Sequence, residues 1–349
     1  MLLQEAVDRY DIENIIVEVS YNMAEYGVVR EDRLGIWNAW LMTDYMHPSI
    51  KKYVYLLNAS NSENYINSFF VARRSWKYLF HIERTKRLLA DKVSKTYRDY
   101  EYDFVTYEEE HYAEKGYVAS DTKLSPDPYF SPVGYFPVNC AHIGENWKNV
   151  IDKIILYCKE KDVKLTLVSV PVSSFLNAGR TNYAEYINYM NSLAHESGIE
   201  YLDFNLMKEE YWPDATAYFK DDDHLNKFGA ELLSEIYSDL INEEITREEL
   251  FYHSMDEKFL NSDATVYGVS YFDDMEGSES IRRCKIVANY MKDLLYKITL
   301  LPSEGGEIEI QDYDRNIYFE LLPQDHGICV VSCKSVMGGN DISTYKIVY

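Results

Sequence analysis

Apolar residues recur along this chain in two rhythms, and the rhythm changes near residue 248. Before that point, short β-branched runs alternate with stretches of helical period. Ile15-Ile16-Val17-Glu18-Val19 reads as a buried parallel strand, and the polar stretch from Leu3 to Tyr10 before it fits the tail of a helix. Trp147, Val150, Ile151, Ile154, Ile155 and Cys158 recur at steps of three and four, which predicts an amphipathic helix over 145–160. Residues 164–171 then form a strand that stops at Pro171, and 182–197 a further helix with Gly198 as its C-cap. Residues 199–204 are the next strand, and 226–241 a helix with Phe228, Leu232, Leu233, Ile236 and Leu240 on one face. Strand alternating with helix predicts a parallel sheet flanked by helices, an α/β fold.

Between about 33 and 112 the period is mostly helical. Trp37, Trp40 and Leu41 share one spacing, Tyr53, Leu56 and Leu57 another, and a third helix is expected from Trp76 to Lys95. These aromatic-rich helices read as an insertion capping one end of the sheet. Residues 108–139, rich in Tyr, Pro, Asp and Gly, read as a long ordered loop. After 248 the segments 264–271, 297–301, 307–310, 317–321 and 328–331 are short, β-prone and punctuated by turn residues. They predict an antiparallel β domain, a small sandwich, with 281–296 open to either helix or strand. The expected division is therefore 1–248, with its helical insertion at about 33–112, and 249–349.

Charge and cysteine usage narrow the partners. The formal net charge is -23, which repels phosphate backbones and anionic lipids, so no nucleic acid is expected as a partner. The short basic pairs Arg73-Arg74 and Arg282-Arg283 read as surface or local ion pairs. No run of about 18 apolar residues exists, so no membrane span is expected, and the polar, acidic Met1 to Tyr10 is no signal peptide. Cys140, Cys158, Cys284, Cys329 and Cys333 contain no Cys-x-x-Cys pair and read as buried free thiols. Cys329 and Cys333 would lie about 13 Å apart along a strand, too far to bond. Tyrosine, at 33 residues, offers rings for stacking on sugars or for ordinary core-and-rim packing.

The densest chemistry lies in Tyr218-Phe-Lys-Asp-Asp-Asp-His-Leu-Asn-Lys-Phe-Gly-Ala230. Asp221 and His224 are three apart in a loop, close enough for the carboxylate to fix the imidazole tautomer and raise its basicity toward a serine hydroxyl. Asn226 or Asp223 can cap the helix that follows. Two other readings stay open: an acidic capping loop with an incidental histidine, and a divalent-cation site on Asp221, Asp222 and Asp223, although adjacent acids point in different directions. His142, ahead of the 145–160 helix, could approach the same end of the sheet.

An Asp-x-x-His pair followed by Leu-Asn and Gly-Ala resembles the last motif block of the SGNH/GDSL serine hydrolases, in the branch that includes DltD-like and alginate-acetylation-like proteins. The Asp203 strand some 20 residues earlier, the strand ending in Val170-Pro171, and the first strand with Glu18-Val-Ser-Tyr-Asn22 fit that order, over roughly residues 1–245. The resemblance implies a three-layer parallel sheet of flavodoxin-like type. It implies His224 as general base, Asp221 as its orienting acid and Asn22 as an oxyanion donor, although Ser20 and Met23 stand where the family has glycine and aspartate. The family's nucleophile follows its first strand in a Gly-Asp-Ser or Gly-Ser-Ser turn, and no serine here has that setting, Ser173 and Ser174 included. Either the chain starts at an internal methionine of a longer frame, or it is a non-catalytic relative. The implied function is that of an esterase or O-acyltransferase acting on acylated carbohydrate or cell-envelope glycan, or on a small ester, inactive as this chain alone. The alternative is a non-catalytic carbohydrate-binding or interaction protein. No cofactor or metal is expected, an unpaired sheet edge invites a homodimer, and the resemblance suggests an extracytoplasmic or membrane-associated location.

Overall fold

The computed structural model describes residues 2–21, 24, 36, 39–40, 43–44, 46–60, 64–74, 81–95, 110–113, 117–132, 143–180, 182–213, 216–276, 279–323, 325–337 and 343–349. Asn22, Trp37, Leu41, Trp76, Cys140 and His142 lie outside the described residues. Among the described residues the fold is mixed α/β, with one parallel sheet, two antiparallel sheets and one mixed sheet. Contacts divide the chain into two units, 1–15 with 26–105 and 143–165, and 16–25 with 106–142 and 166–349. Residues 166–248 and 249–349 thus fall within one unit.

The described residues of the first unit are mostly helical: α1 (Leu2–Arg9), α2 (Ile50–Ala59), α3 (Tyr65–Phe69), α4 (Val71–Arg74), α5 (Ile82–Val93) and α6 (Glu145–Glu160). Ser49 caps α2 by accepting from the Lys52 N–H at 3.1 Å. Leu56 is buried with Ile36, Ala39 and Trp40. Arg74 of the first basic pair is a local ion pair, 2.7 Å from Asp44, with its guanidinium 4.4 Å above the Trp40 ring. In α6 the buried residues are Trp147, Ile151, Ile155 and Cys158, the stripe expected from the period.

The three-stranded sheet has the order β1 (Asn14–Glu18), β5 (Lys164–Ser169), β6 (Glu200–Asp203). β5 and β6 run parallel, from Thr166 opposite Glu200 to Ser169 opposite Asp203. Every residue of β5 after Lys164 is buried, as a central parallel strand requires. Between and after these strands come α7 (Ser174–Gly179), α8 (Tyr183–Ser197) and α9 (Lys227–Ile241). Gly198 ends α8 in the left-handed conformation, φ 63°, as expected of a C-cap. A second core gathers Leu202, Phe204, Met207, Trp212, Phe219, Ile236 and Leu250 under this end of the sheet.

The stretch 108–139 is not wholly irregular, contrary to expectation. It contains β2 (Glu110–Tyr112) and β3 (Val118–Ser120), which pair with each other, and β4 (Tyr129–Pro132). After α10 (Arg247–Leu250) and α11 (Met255–Asn261) come β7 (Val266–Glu276), β8 (Glu279–Ala288), β9 (Leu294–Pro302), β10 (Ile308–Asp314), β11 (Tyr318–Leu321), β12 (Gly327–Ser335) and β13 (Ser343–Val348). They form two sheets, β10-β9-β12-β13 and β11-β8-β7-β4. The ambiguous segment 281–296 is mostly β8 and the start of β9. Alternate residues of both sheets, among them Val269, Ile286, Phe319, Ile298, Val331 and Ile347, share one buried core. β4 joins β7 in parallel, Tyr129 opposite Gly268. A Cβ at Gly268 would stand 2.4 Å from the Tyr129 carbonyl oxygen, so only glycine allows the strand this close. Among the described residues no helix is long and apolar enough to cross a membrane.

Candidate functional site

The loop that carries His224 is closed by its own backbone. The Lys220 N–H donates to the His224 carbonyl at 2.9 Å, the Asn226 N–H to the Tyr218 carbonyl at 3.0 Å, and Phe219 bridges Leu225. Asn226 is 1% exposed and does two jobs: its Oδ1 accepts from the Gly229 N–H at 3.0 Å, capping α9, and its Nδ2 donates to the Thr122 and Ala217 carbonyls. At Gly229 a Cβ would lie 2.2 Å from the Tyr218 carbonyl oxygen, which explains the glycine of the motif. From outside, the Leu124 N–H donates to the Phe219 carbonyl, and Lys220 is paired with Glu110.

Within this frame Asp221 organises the histidine. Its Oδ1 accepts from the backbone N–H groups of Asp223 and His224, and the same oxygen lies 2.9 Å from His224 Nδ1. Asp223 puts a second carboxylate oxygen 3.0 Å from Nδ1. Partial burial pulls the imidazole pKa down, but the bond and charge of Asp221 and the charge of Asp223 outweigh it, and the net shift is upward. Asp221 moves the other way: its burial is outweighed by the bond to His224 and the imidazolium charge, so its pKa is lowered. With Nδ1 engaged, Nε2 is the nitrogen left for a reacting proton.

Asp222 faces elsewhere. Its carboxylate accepts from the Ser173 hydroxyl at 3.0 Å and from the Tyr129 hydroxyl, and its carbonyl accepts from the Ser173 N–H at 2.9 Å. Ser173 also caps α7 through the Leu176 N–H and is 2% exposed, so it is a capping serine tied to the loop. Burial, then the charge of Asp223, pushes the Asp222 carboxyl up to about 6. The three adjacent acids therefore do not converge. Among the described residues, Asp221, Asp223 and His224 gather ligand atoms within 4.8 Å of one another, a set that leaves Asp222 out.

Two groups escaped the sequence reading. Asp223, by sequence a candidate cap beside Asn226 or a cation ligand, instead shares Nδ1 with Asp221. Glu18, at the carboxyl end of β1, feels the charges of His224 and Asp223. Glu18 is exposed, yet the protein atoms packed to one side of it raise its pKa, and the His224 charge offsets part of that rise. Its place at the carboxyl edge of a parallel strand was the available signal. Asn22, the expected oxyanion donor, lies outside the described residues. Among the described residues no serine hydroxyl hydrogen-bonds His224. Compared with known protein families, curated proteins and solved structures, the chain matches none.

Proposed function

We propose that the 218–226 loop is the proton-handling part of an SGNH-type acyl-transfer site, an esterase or O-acyltransferase acting on acylated carbohydrate or cell-envelope glycan. The observation that carries this reading is the Asp221–His224 contact of 2.9 Å through Nδ1, in a loop whose imidazole side chain is 69% exposed. A base of this kind works only if its second nitrogen is reachable. The nucleophilic serine belongs, on this reading, outside the described residues.

His224 Nε2 takes the serine proton as Oγ bonds to the acyl carbon. The imidazolium returns that proton to the leaving alkoxide as the ester C–O bond breaks. Water or a sugar hydroxyl then attacks the acyl-serine with the same proton path in reverse. Asp221 holds the tautomer and stabilises the imidazolium, Asp223 adds charge stabilisation, and the charge of the imidazolium reaches as far as Glu18. Asn22 would donate to the oxyanion.

The test is hydrolysis of p-nitrophenyl acetate by the full chain its gene encodes, beside His224→Ala. The variant is expected to lose about 10²–10⁴-fold in rate. Equal rates in the two proteins would overturn the proposal and leave the non-catalytic carbohydrate-binding reading in its place.

A further inference from the structure

Near the first turn of α8 the charge balance of the molecule inverts. A cavity of about 400 Å³ there is lined by residues that include Asn177, Arg180, Tyr183, Phe259, Lys285 and Tyr290. The chain carries 58 acidic residues against 35 basic ones, yet no Asp or Glu lines this cavity and two cations do. Its volume is within the range of small-molecule sites.

Each cation is short of partners. Among the described residues the Lys285 ammonium has no hydrogen bond and no carboxylate within 4 Å, and burial alone pulls its pKa down. Arg180 donates through Nη1 to Asn177 Oδ1 at 3.1 Å, but its Nε is buried without an acceptor. The guanidinium lies 4.9 Å from the ring centres of Tyr21 and Tyr183, which hold it in place. Asp203 feels the Arg180 charge but makes no ion pair with it within 4 Å. Its oxygens accept from the Tyr183 hydroxyl at 3.0 and 3.1 Å and from Asn205.

The backbone adds to the same field. α8 is 15 residues long, and its N-cap, Asn182, sits in the left-handed region at φ 60° with no side-chain cap bond. The N–H groups of Tyr183 and Ala184, whose residues line the cavity, have no helical acceptor. A helix N-terminus carries about half a positive charge, so with two cations the site presents ~2.5 charges to one ligand. An adjoining cavity of about 280 Å³ shares Asn177, Met255 and Phe259, and is lined by both Lys258, whose Nζ donates to the Asn205 carbonyl at 2.8 Å, and Glu209, whose charge acts on it, so it adds no net charge.

We propose that this cavity binds a small phosphate monoester, its dianionic end held by Arg180, Lys285 and the first-turn N–H groups of α8. The phosphorylated body rests on Phe259 and Tyr290, whose rings pack edge to face at 4.8 Å. A dianion can engage both half-buried cations at once, whereas a single carboxylate offers one charge to two. The site is separate from the His224 loop, and its test does not depend on ester hydrolysis.

Calorimetric titration of the full chain at constant ionic strength decides it, with inorganic phosphate, glucose 1-phosphate and acetate as ligands. Saturable phosphate binding is expected at about 1–10 mM, tighter for the sugar phosphate and about tenfold weaker for acetate. Because Arg180 packs on two tyrosines, Lys285→Gln is the deciding variant. It should stay folded by circular dichroism and bind phosphate about tenfold more weakly. Absence of saturation below about 50 mM phosphate, or a folded Lys285→Gln within twofold of the parent, overturns the proposal. Acetate binding as tight as phosphate overturns the phosphoryl assignment.

Discussion

Replacing Asp221 by Asn removes the charge that lifts His224 while keeping an acceptor oxygen near Nδ1. The two side chains are 69% and 46% exposed, so water screens the pair heavily. At a charge separation of about 4 Å the aqueous limit of the Coulomb energy is ~1 kcal/mol, which is the appropriate end of the scale for so exposed a pair. Asp221→Asn should therefore lower the imidazole pKa, by no more than this screened interaction supports. Asp223, whose Oδ1 is 3.0 Å from the same nitrogen, remains and supports part of the charge, so Asp221→Asn/Asp223→Asn should fall further. The assay is an NMR titration of the His224 Cε1–H resonance, assigned by its loss in His224→Gln. The stability linkage has a definite direction. A raised folded pKa means that the pair stabilises the fold fully below the unfolded value of 6.5, and that this is lost as pH rises through the folded value. Asp221→Asn should therefore lower stability more at pH 5 than at pH 9. An unmoved or raised imidazole pKa in Asp221→Asn, with a fall in Asp223→Asn, would refute the assignment of Asp221 as the orienting acid.

Three further outcomes follow from the geometry. Asp222 has a carboxyl raised from 3.8 to about 6, so it costs stability as pH rises across that window, and Asp222→Asn should gain ~1–2 kcal/mol at pH 8 and little at pH 4 by urea denaturation. A loss at pH 8 would mean that the Tyr129 and Ser173 bonds favour the charge more than burial opposes it. Gly229→Ala forces a methyl group 2.2 Å from the Tyr218 carbonyl oxygen and should cost at least ~2 kcal/mol by the same method. A cost under about 0.5 kcal/mol would show that the turn can relax. Burial pushes the thiols of Cys284 and Cys329 up to about 12, so neither should react with a disulfide reagent at pH 8 until urea is added, as mapped by mass spectrometry.

The helices at 145–160 and 182–197 were legible because burial on one face imposes a local period, and Asp221–His224 was legible because both residues lie in one turn. What the sequence hid is non-local. β4 pairs with a strand well over a hundred residues away and in parallel, so neither alternation nor a hairpin turn announces it. β7 extends to Glu276, beyond the apolar run that ends at Tyr271, because Asp273 and Asp274 find cross-strand partners in Arg282 and Arg283, at 2.8 and 3.5 Å. The same pairs account for the second basic dipeptide. The Asp222–Ser173 tie and the influence of His224 on Glu18 join segments that only the closed sheet brings together.

β4 also bears on the order in which the molecule is completed during synthesis. Tyr129 lies beside Gly268 at the edge of the sandwich, and its hydroxyl donates to Asp222 in the histidine loop. The strand leaves the ribosome long before either partner exists, and it must wait for both. A fragment beginning at 249 would expose the β7 edge that β4 covers, an invitation to aggregate. In the folded chain, one residue, Tyr129, links the β4–β7 pairing to the loop that holds the imidazole.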